Sequence, residues 1–499
     1  MGIIIKQSIK GTIWSYLGVI IGFVTTAYLY PNFLSPDIVG LFGLLVAYST
    51  LFGQFSLLGV HGVTSRLFPY FRDKKSGHHG FLLIPAGFMA TGFALFLVAY
   101  YFFAPYLIES NIEKSQLFAD YTYLIIPLSF FTMLYLFLDI YNKVLYDAVF
   151  GTFLQEFIQR VLVLLVTLLY AVQLISLSQL IMGYALALIA KGLIMLVFMT
   201  RKGELKIRIE RNFIDKNLRR EILDVALFSV LGGIGYMLVF NIDKIIVNQM
   251  VNLNDTGVYT IAFYFGTLVI IPSRPLLKIS GTLIADAWRE NAIPKIKDIY
   301  TRSCLNQFII GGFLFLGIWA NIDNILTILG PDYLQSKWVI FFIGLGYLFD
   351  MMTGTNSQII GLSPYYRFNL ASLAILVVVA IALMYSLIPL WGIVGAAIAI
   401  ASSLFLNNFL RFIFLLWKYR FQPFNWRFIV ITFFYLGIYI SLLIIPQLPL
   451  IPDILLRGGI ITILSGLFFA FLPISADINQ LFRQVMERLR KISTGTPEN

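Results

Sequence analysis

Charge is what this sequence lacks most. Only 12% of its 499 residues are Asp, Glu, Lys or Arg, against about 25% in soluble domains, so a water-soluble enzyme is excluded. Cysteine is nearly absent. Cys304 stands alone, which excludes a disulfide framework and any cysteine-built zinc site. The three histidines, His61, His78 and His79, are too few for a metal cluster. No G-x-x-x-x-G-K-S/T loop occurs, and no polar stretch is long enough for a soluble nucleotide-hydrolysing domain. The sequence therefore implies no nucleotide engine and no cofactor. An ion gradient, the membrane potential or the substrate's own gradient is left as the energy source.

Apolar residues fill the space that charge leaves. They make up 59% of the chain, which at about 20 residues per crossing allows a dozen or more spans. Lys6 and Lys10 precede a run too long for a signal-peptide core and lacking a small-residue cleavage site, so it reads as a retained first span. Runs bounded by charge, Pro or Gly predict fourteen helices, α1 to α14. They lie at 12–33, 38–63, 80–104, 121–145, 149–171, 176–199, 223–249, 257–280, 303–321, 337–362, 368–388, 391–417, 427–446 and 454–474. The expected fold class is an all-α integral membrane protein. A basic tail follows, with Ile478, Leu481, Phe482, Val485 and Leu489 on one apolar stripe suited to the membrane surface.

The net charge of +11 tests this arrangement. With both termini in the cytoplasm, most Lys and Arg fall in cytoplasmic loops, helix mouths or the tail, as the positive-inside bias requires. Lys114, Lys337 and Arg457 fall outside, while Arg160, Lys191, Lys244 and Arg411 lie within spans. External loops carry Asp37, Glu109, Glu113, Asp120, Asp255, Asp323, Asp332 and Asp453. The basic balance is thus topology, not a nucleic-acid surface.

Lys202, Lys206, Arg208, Arg211, Lys216, Arg219 and Arg220 crowd the loop between α6 and α7. This divides the chain into an N-terminal six-helix bundle (1–200), a basic cytoplasmic linker (201–222), a C-terminal six-helix bundle (223–420), an extra helix pair (421–474) and the basic tail (475–499). The halves echo each other. An outside turn, Leu34-Ser35-x-Asp37-x-x-Gly40-x-Phe42, precedes α2, and Asn252-x-x-Asp255-x-Gly257-x-Tyr259 precedes α8, with one residue of slip between Asp and Gly. Gly183-Tyr-Ala-Leu-Ala in α6 and Gly395-Ala-Ala-Ile-Ala in α12 recur at a similar offset. Parallel repeats of this kind are a known transporter architecture.

Two six-helix bundles with two extra helices, the Leu34–Phe42 turn and the Gln155-Glu156-x-x-x-Arg160 stretch of α5 resemble the bacterial polysaccharide flippases. These move O-antigen and capsule repeat units and belong to the multidrug/oligosaccharidyl-lipid/polysaccharide exporter superfamily. The resemblance covers essentially the whole chain. It implies a substrate of oligosaccharide linked to a polyprenyl pyrophosphate, moved between leaflets of the bacterial inner membrane by alternating access of two bundles. It also implies H+ or Na+ as coupling ion, and a polysaccharide polymerase and glycosyltransferases as partners. A lipid II flippase and a multidrug or cation antiporter of the same superfamily are the competing transport readings. A membrane glycosyltransferase would need a large external loop, and the outside loops are short.

Ionisable groups at the centre of a span cost about 2.5–3.5 kcal/mol each, so they face a wet cavity or a partner. Glu156 and Arg160 stand at i, i+4 in α5, either neutralising each other or serving a cavity. In α7, Ser229, Gly233, Tyr236 and Asp243 share a face that favours a cavity lining, with Lys244 splayed beside it. In α8, Pro272-Ser-Arg274-Pro275 places two helix breakers around an arginine, with Lys278 one turn on. Such a kink suits a cavity-lining backbone, and Arg274 can offer a planar fork to phosphate; the alternative is snorkelling at the cytoplasmic end. Arg66, on a face of α2 with Thr50, Gln54, His61 and Ser65, is its counterpart in the first half. A central basic cavity holding Lys244 and Arg274 is the expectation.

Asp139 in α4 and Asp350 in α10 show no evident same-helix partner, leaving ion coupling or an interhelical salt bridge; Asp350 shares a face with Gly354, Ser357 and Gly361. Lys191 and Arg411 are expected to snorkel, and His78-His79 to sit in a solvated loop. Gly11, Ser15, Gly18, Gly22 and Thr26 form a small-residue stripe suited to close packing of α1.

Overall fold

The computed structural model describes residues 2–109, 111–112, 114–205 and 213–480. The tail stripe at Leu481, Phe482, Val485 and Leu489, the linker cations Lys206, Arg208 and Arg211, and Glu113 lie outside the described residues, as do the side chains of Lys6, Lys10 and Tyr236.

Every regular element among the described residues is helical. Among the described residues, ten helices are long and apolar enough to cross a membrane, and up to twelve when two bent pairs each count as one span. In chain order the segments are α1 (Ile13–Phe33), α2 (Pro36–Ser56, continued by Val60–Phe71), α3 (Leu83–Glu109), α4 (Gln116–Val144), α5 (Val149–Ala171) and α6 (Leu177–Arg201). Then come α7 (Lys216–Met250), α8 (Leu253–Ile270 bent into Ser273–Arg289), α9 (Ile293–Ala320) and α10 (Pro331–Met352 bent into Asn356–Leu362). A 54-residue run, Tyr366–Tyr419, is broken at Trp391 and Gly392, giving α11 (366–390) and α12 (393–419). Last are α13 (Trp426–Leu443) and α14 (Leu450–Phe471). With α7 and this break counted, fourteen segments follow in the expected order.

Local chemistry sets the helix starts. Ser176 and Gln179 form a reciprocal capping box at the head of α6. The Asp215 carboxylate accepts from the Leu218 N–H at 2.7 Å, and Asn425 accepts from Arg427 N–H at 3.0 Å, opening α7 and α13.

Breaks inside helices revise two expected faces. Gly59, with φ +80°, stops α2 between Ser56 and Val60, so Thr50 and Gln54 share no continuous face with His61, Ser65 and Arg66. Likewise α10 bends by 52° at Thr353–Thr355, which separates Asp350 from Ser357 and Gly361. The break in α8, at Pro272, is where the proline pair placed it, and it bends the helix by 46°.

The chain forms two compact units. One comprises Met1–Ile261 with Val377–Ala396, the other Ala262–Leu376 with Ala397–Asn499. The first is cored by Leu57, Phe68, Phe71 and Phe81 against Met133, Tyr141 and Met195. The second is cored by Tyr300, Cys304 and Phe308 of α9 against Phe421, Phe428 and Ile431.

Within the first unit the two echoing turns meet each other. A Cβ on Gly40 would lie 2.3 Å from the Leu253 carbonyl oxygen, and one on Gly257 would lie 1.8 Å from the Pro36 carbonyl oxygen. Asn254 Nδ2 donates to Asp37 Oδ2 at 3.2 Å. The equivalent positions Pro36 and Leu253, Asp37 and Asn254, and Gly40 and Gly257 each stand 217 residues apart, so the contact is reciprocal, as a local two-fold relation requires. The slip seen in sequence resolves here: Asp37 corresponds to Asn254, not Asp255.

In the second unit, Asp477 follows α14 and clasps α9. Its carboxylate accepts from Arg302 Nε at 3.0 Å and from Asn306 Nδ2 at 2.7 Å. Arg302 and Asn306 hold the Asp477 carboxyl below the usual carboxylate range despite partial burial. A depressed carboxylate stabilises the fold above its unfolded pKa, about 3.9, and loses that contribution as pH falls through the folded value. Melting curves of wild type and Asp477→Asn should therefore differ at neutral pH and converge as pH falls below about 4. A gap independent of pH would reject the ionised clasp.

Candidate functional site

Helices α4, α5 and α6 assemble a polar cluster inside the first unit from residues that sequence offered separately. Arg160 Nη2 pairs with Glu156 Oε2 at 2.7 Å, as the i, i+4 spacing predicted, while Nη1 donates to the Gly18 carbonyl of α1 at 2.6 Å. Gly18 permits this approach, because a Cβ there would stand 1.9 Å from the Glu156 carbonyl oxygen. Of the small-residue stripe, Gly18 is the tight contact, whereas Gly11 faces open space. Glu156 lies in a π-helical turn, Leu154–Ile158, a local widening frequent at functional sites.

Tyr135 of α4 donates toward the Gly151 carbonyl at 2.9 Å and Gln155 Oε1 at 3.2 Å. Lys191 of α6 places its ammonium 5.0 Å from the centre of the Tyr135 ring, within electrostatic reach of Glu156 and Asp139. It is turned into the bundle, not snorkelling. Asp139 does have a same-helix partner, Lys143 at i+4, contrary to expectation, and His61 feels both charges. Three cations (Lys143, Arg160, Lys191) thus face two carboxylates (Asp139, Glu156), with tyrosine and amide groups between them. Such a set can hold an anionic group or exchange a proton or small cation. Lys143 was readable from its spacing; Tyr135 carried no signal, because its role comes from packing across helices.

A second cluster lies in the second unit. Asp350 accepts from Asn408 Nδ2 at 2.8 Å, and Asn408 Oδ1 accepts from Thr353 and Asn356, each at 3.0 Å. Arg411 is buried at 8% exposure, donates to Ser372 Oγ at 3.2 Å and acts electrostatically on Asp350. It too turns inward where snorkelling was expected. Asp350 therefore has interhelical partners on α12, of which Asn408 was not foreseen.

The remaining candidates are placed singly. Asp243 is fully buried and accepts from the Tyr259 hydroxyl at 3.0 Å, with Lys244 Nζ 3.6 Å away. Its stripe packs onto α2, with Ser229 against Gly62 and Gly233 against Gln54, so these positions do not face open space. Arg66, Arg274 and Lys278 are exposed and form no ion pair among the described residues; Arg274 stands in the first turn after the α8 bend. His78, expected in solvent, is buried against Phe68 with Glu204 3.5 Å from its ring.

Among the described residues, fourteen helical segments, two echoing turns that interlock and ionisable clusters set within apolar helices make a polytopic membrane protein whose fold is that of solved membrane transporters. Two of the similar solved structures carry the comparison. The structure of "Lipid II flippase MurJ, inward closed conformation" matches with TM-score 0.72 at 14% identity, covering 92% of this chain and 99% of that one. An inward-facing multidrug resistance MATE family transporter matches with TM-score 0.60 at 13% identity, covering 82% and 97%. No protein-family model and no curated protein sequence matches the chain.

Proposed function

We propose that this protein is a flippase, not an enzyme, that carries polyprenyl-pyrophosphate-linked oligosaccharide units from the cytoplasmic to the outer leaflet of a bacterial inner membrane for surface polysaccharide synthesis. The observation that carries the reading is the likeness to a lipid II flippase over nearly the full length of both chains. The cationic excess of the α4–α6 cluster, and the exposed Arg66, Arg274 and Lys278, which pair with no carboxylate among the described residues, support it. A pyrophosphate needs cations, whereas a pump for cationic drugs needs an acidic or apolar path. In this reading the two six-helix bundles alternate access, both termini are cytoplasmic, and Arg66, Arg160, Lys244, Arg274 and Lys278 serve the head group. Asp139, Glu156, Asp243 and Asp350 are the positions for H+ or Na+ coupling or for salt bridges. The polymerase and glycosyltransferases that use the same lipid carrier are the proposed partners. Lipid II is the second substrate reading, favoured by the same structural likeness.

Reconstitution tests both. Proteoliposomes carrying fluorescent undecaprenyl-pyrophosphate-linked oligosaccharide, or lipid II, should lose leaflet-specific labelling faster than protein-free vesicles. An imposed pH or Na+ gradient should change the rate if an ion is coupled. Faster movement of one lipid identifies the branch. No movement of either, with efflux of a lipophilic cation, rejects the flippase in favour of the exporter.

A further inference from the structure

In the second unit, the connections α9–α10 and α13–α14 surround a cavity of about 280 Å3. Its base is a buried ion pair, Arg457 Nε to Asp453 Oδ2 at 2.6 Å, with side chains 10% and 3% exposed. Asn324 Nδ2 also donates to Asp453, at 2.6 Å, and Arg457 donates to the Leu442 and Ile445 carbonyls at 3.0 and 3.2 Å. These bonds tie the α13–α14 turn to the helix 322–329, so the base is preorganised. The wall holds Trp319, whose indole N–H donates to the Tyr439 hydroxyl at 3.1 Å. At the rim, Lys337 Nζ pairs with Asp323 at 2.8 Å.

Two carboxylates and two cations line this space, so its formal charge is zero. An isolated ion would bring a charge that this balanced set leaves without a counterion. A purely apolar occupant would strand polar groups without partners. Three groups keep hydrogen-bonding capacity that no described residue uses: the Tyr439 O–H hydrogen, the Asn324 carbonyl oxygen and the Gln447 amide. An indole surface beside alternating donors and acceptors suits a molecule with an apolar C–H face and a hydroxyl rim. The volume lies just below the range of about 300–1,000 Å3 that holds drug-sized ligands.

We infer that this cavity binds one neutral sugar ring. With the termini cytoplasmic, both connections are external, and the ring belongs to the head group of the translocated lipid. The inference rests on the flippase reading only for that source. The full-length protein in nanodiscs should show saturation transfer to methyl α-glucoside or N-acetylglucosamine, but weaker transfer to glucuronate, which brings an unmatched charge. Affinity should fall about fivefold to tenfold in Trp319→Leu and in the pair Tyr439→Phe with Gln447→Leu. Gln447 is exposed, so Gln447→Leu alone keeps the fold intact and should still lower binding. No transfer to either neutral sugar in wild type, or undiminished transfer in all three variants, overturns the site. Translocation of the lipid-linked substrate is measured on the same preparation. Sugar binding without translocation keeps the site and removes the flippase reading; translocation without binding does the reverse.

Discussion

Gly257→Val should drive apart the first turns of α2 and α8, and cross-linking between cysteines at positions 37 and 254 should collapse. The new Cβ would lie 1.8 Å from the Pro36 carbonyl oxygen and 3.0 Å from the Gly40 nitrogen. Both are backbone atoms, so no rotamer change relieves the clash and the helices themselves must move. Gly40→Val meets the Leu253 carbonyl at 2.3 Å and should act the same way. Overpacking of this kind costs about 1–3 kcal/mol, or roughly fivefold to 150-fold in the population of the closed contact. Because the contact is reciprocal, the double substitution should cost little more than either alone. The assay uses Asp37→Cys with Asn254→Cys and a short thiosulfonate linker; Cys304, the native cysteine, is fully buried. In the alternating-access reading, the linker itself should stop transport and a reductant should restore it. Equal cross-linking yields with and without Gly257→Val would show that the interlocked turns are not the resting arrangement.

The same contact shows what was legible in the sequence. The echo between the Leu34–Phe42 and Asn252–Tyr259 turns could be seen, but not its register, because Asn254 and Asp255 are interchangeable as turn residues. Only the packing of Gly40 on Leu253 and Gly257 on Pro36 selects one. Helix number and order were readable because each segment is a continuous apolar run. The α8 bend was readable because proline removes a donor wherever it sits. The breaks at Gly59 and Gly354 were not, since a glycine in a helical run does not announce its positive φ. In the site, Glu156–Arg160 followed from spacing along one helix. The inward turn of Lys191 onto Tyr135 and that of Arg411 onto Ser372 depend on neighbours in other helices, which periodicity does not encode.

Arg160→Leu should be the most damaging single change in the α4–α6 cluster. It removes a cation that serves two helices at once, pairing Glu156 at 2.7 Å and capping the Gly18 carbonyl at 2.6 Å. Breaking a buried pair from one side costs about 3–5 kcal/mol. Here Arg160 and Glu156 keep 28% and 18% exposure, so solvent screening should reduce the loss to roughly 2–3 kcal/mol. Glu156→Gln should cost less, because Arg160 then retains Gly18 and the amide still accepts. The charge-swapped pair, Glu156→Arg with Arg160→Glu, discriminates between two roles. If Arg160 merely neutralises Glu156, the swap preserves the i, i+4 pair and should restore stability. If its second bond to α1 matters, the swap aims a carboxylate at the Gly18 carbonyl and must fail. Failure to rescue is the expected result, read by thermal melting in detergent and by lipid-linked oligosaccharide translocation in vesicles. A swap that recovers both would reduce Arg160 to a counterion and remove it from any role in gripping an anionic head group.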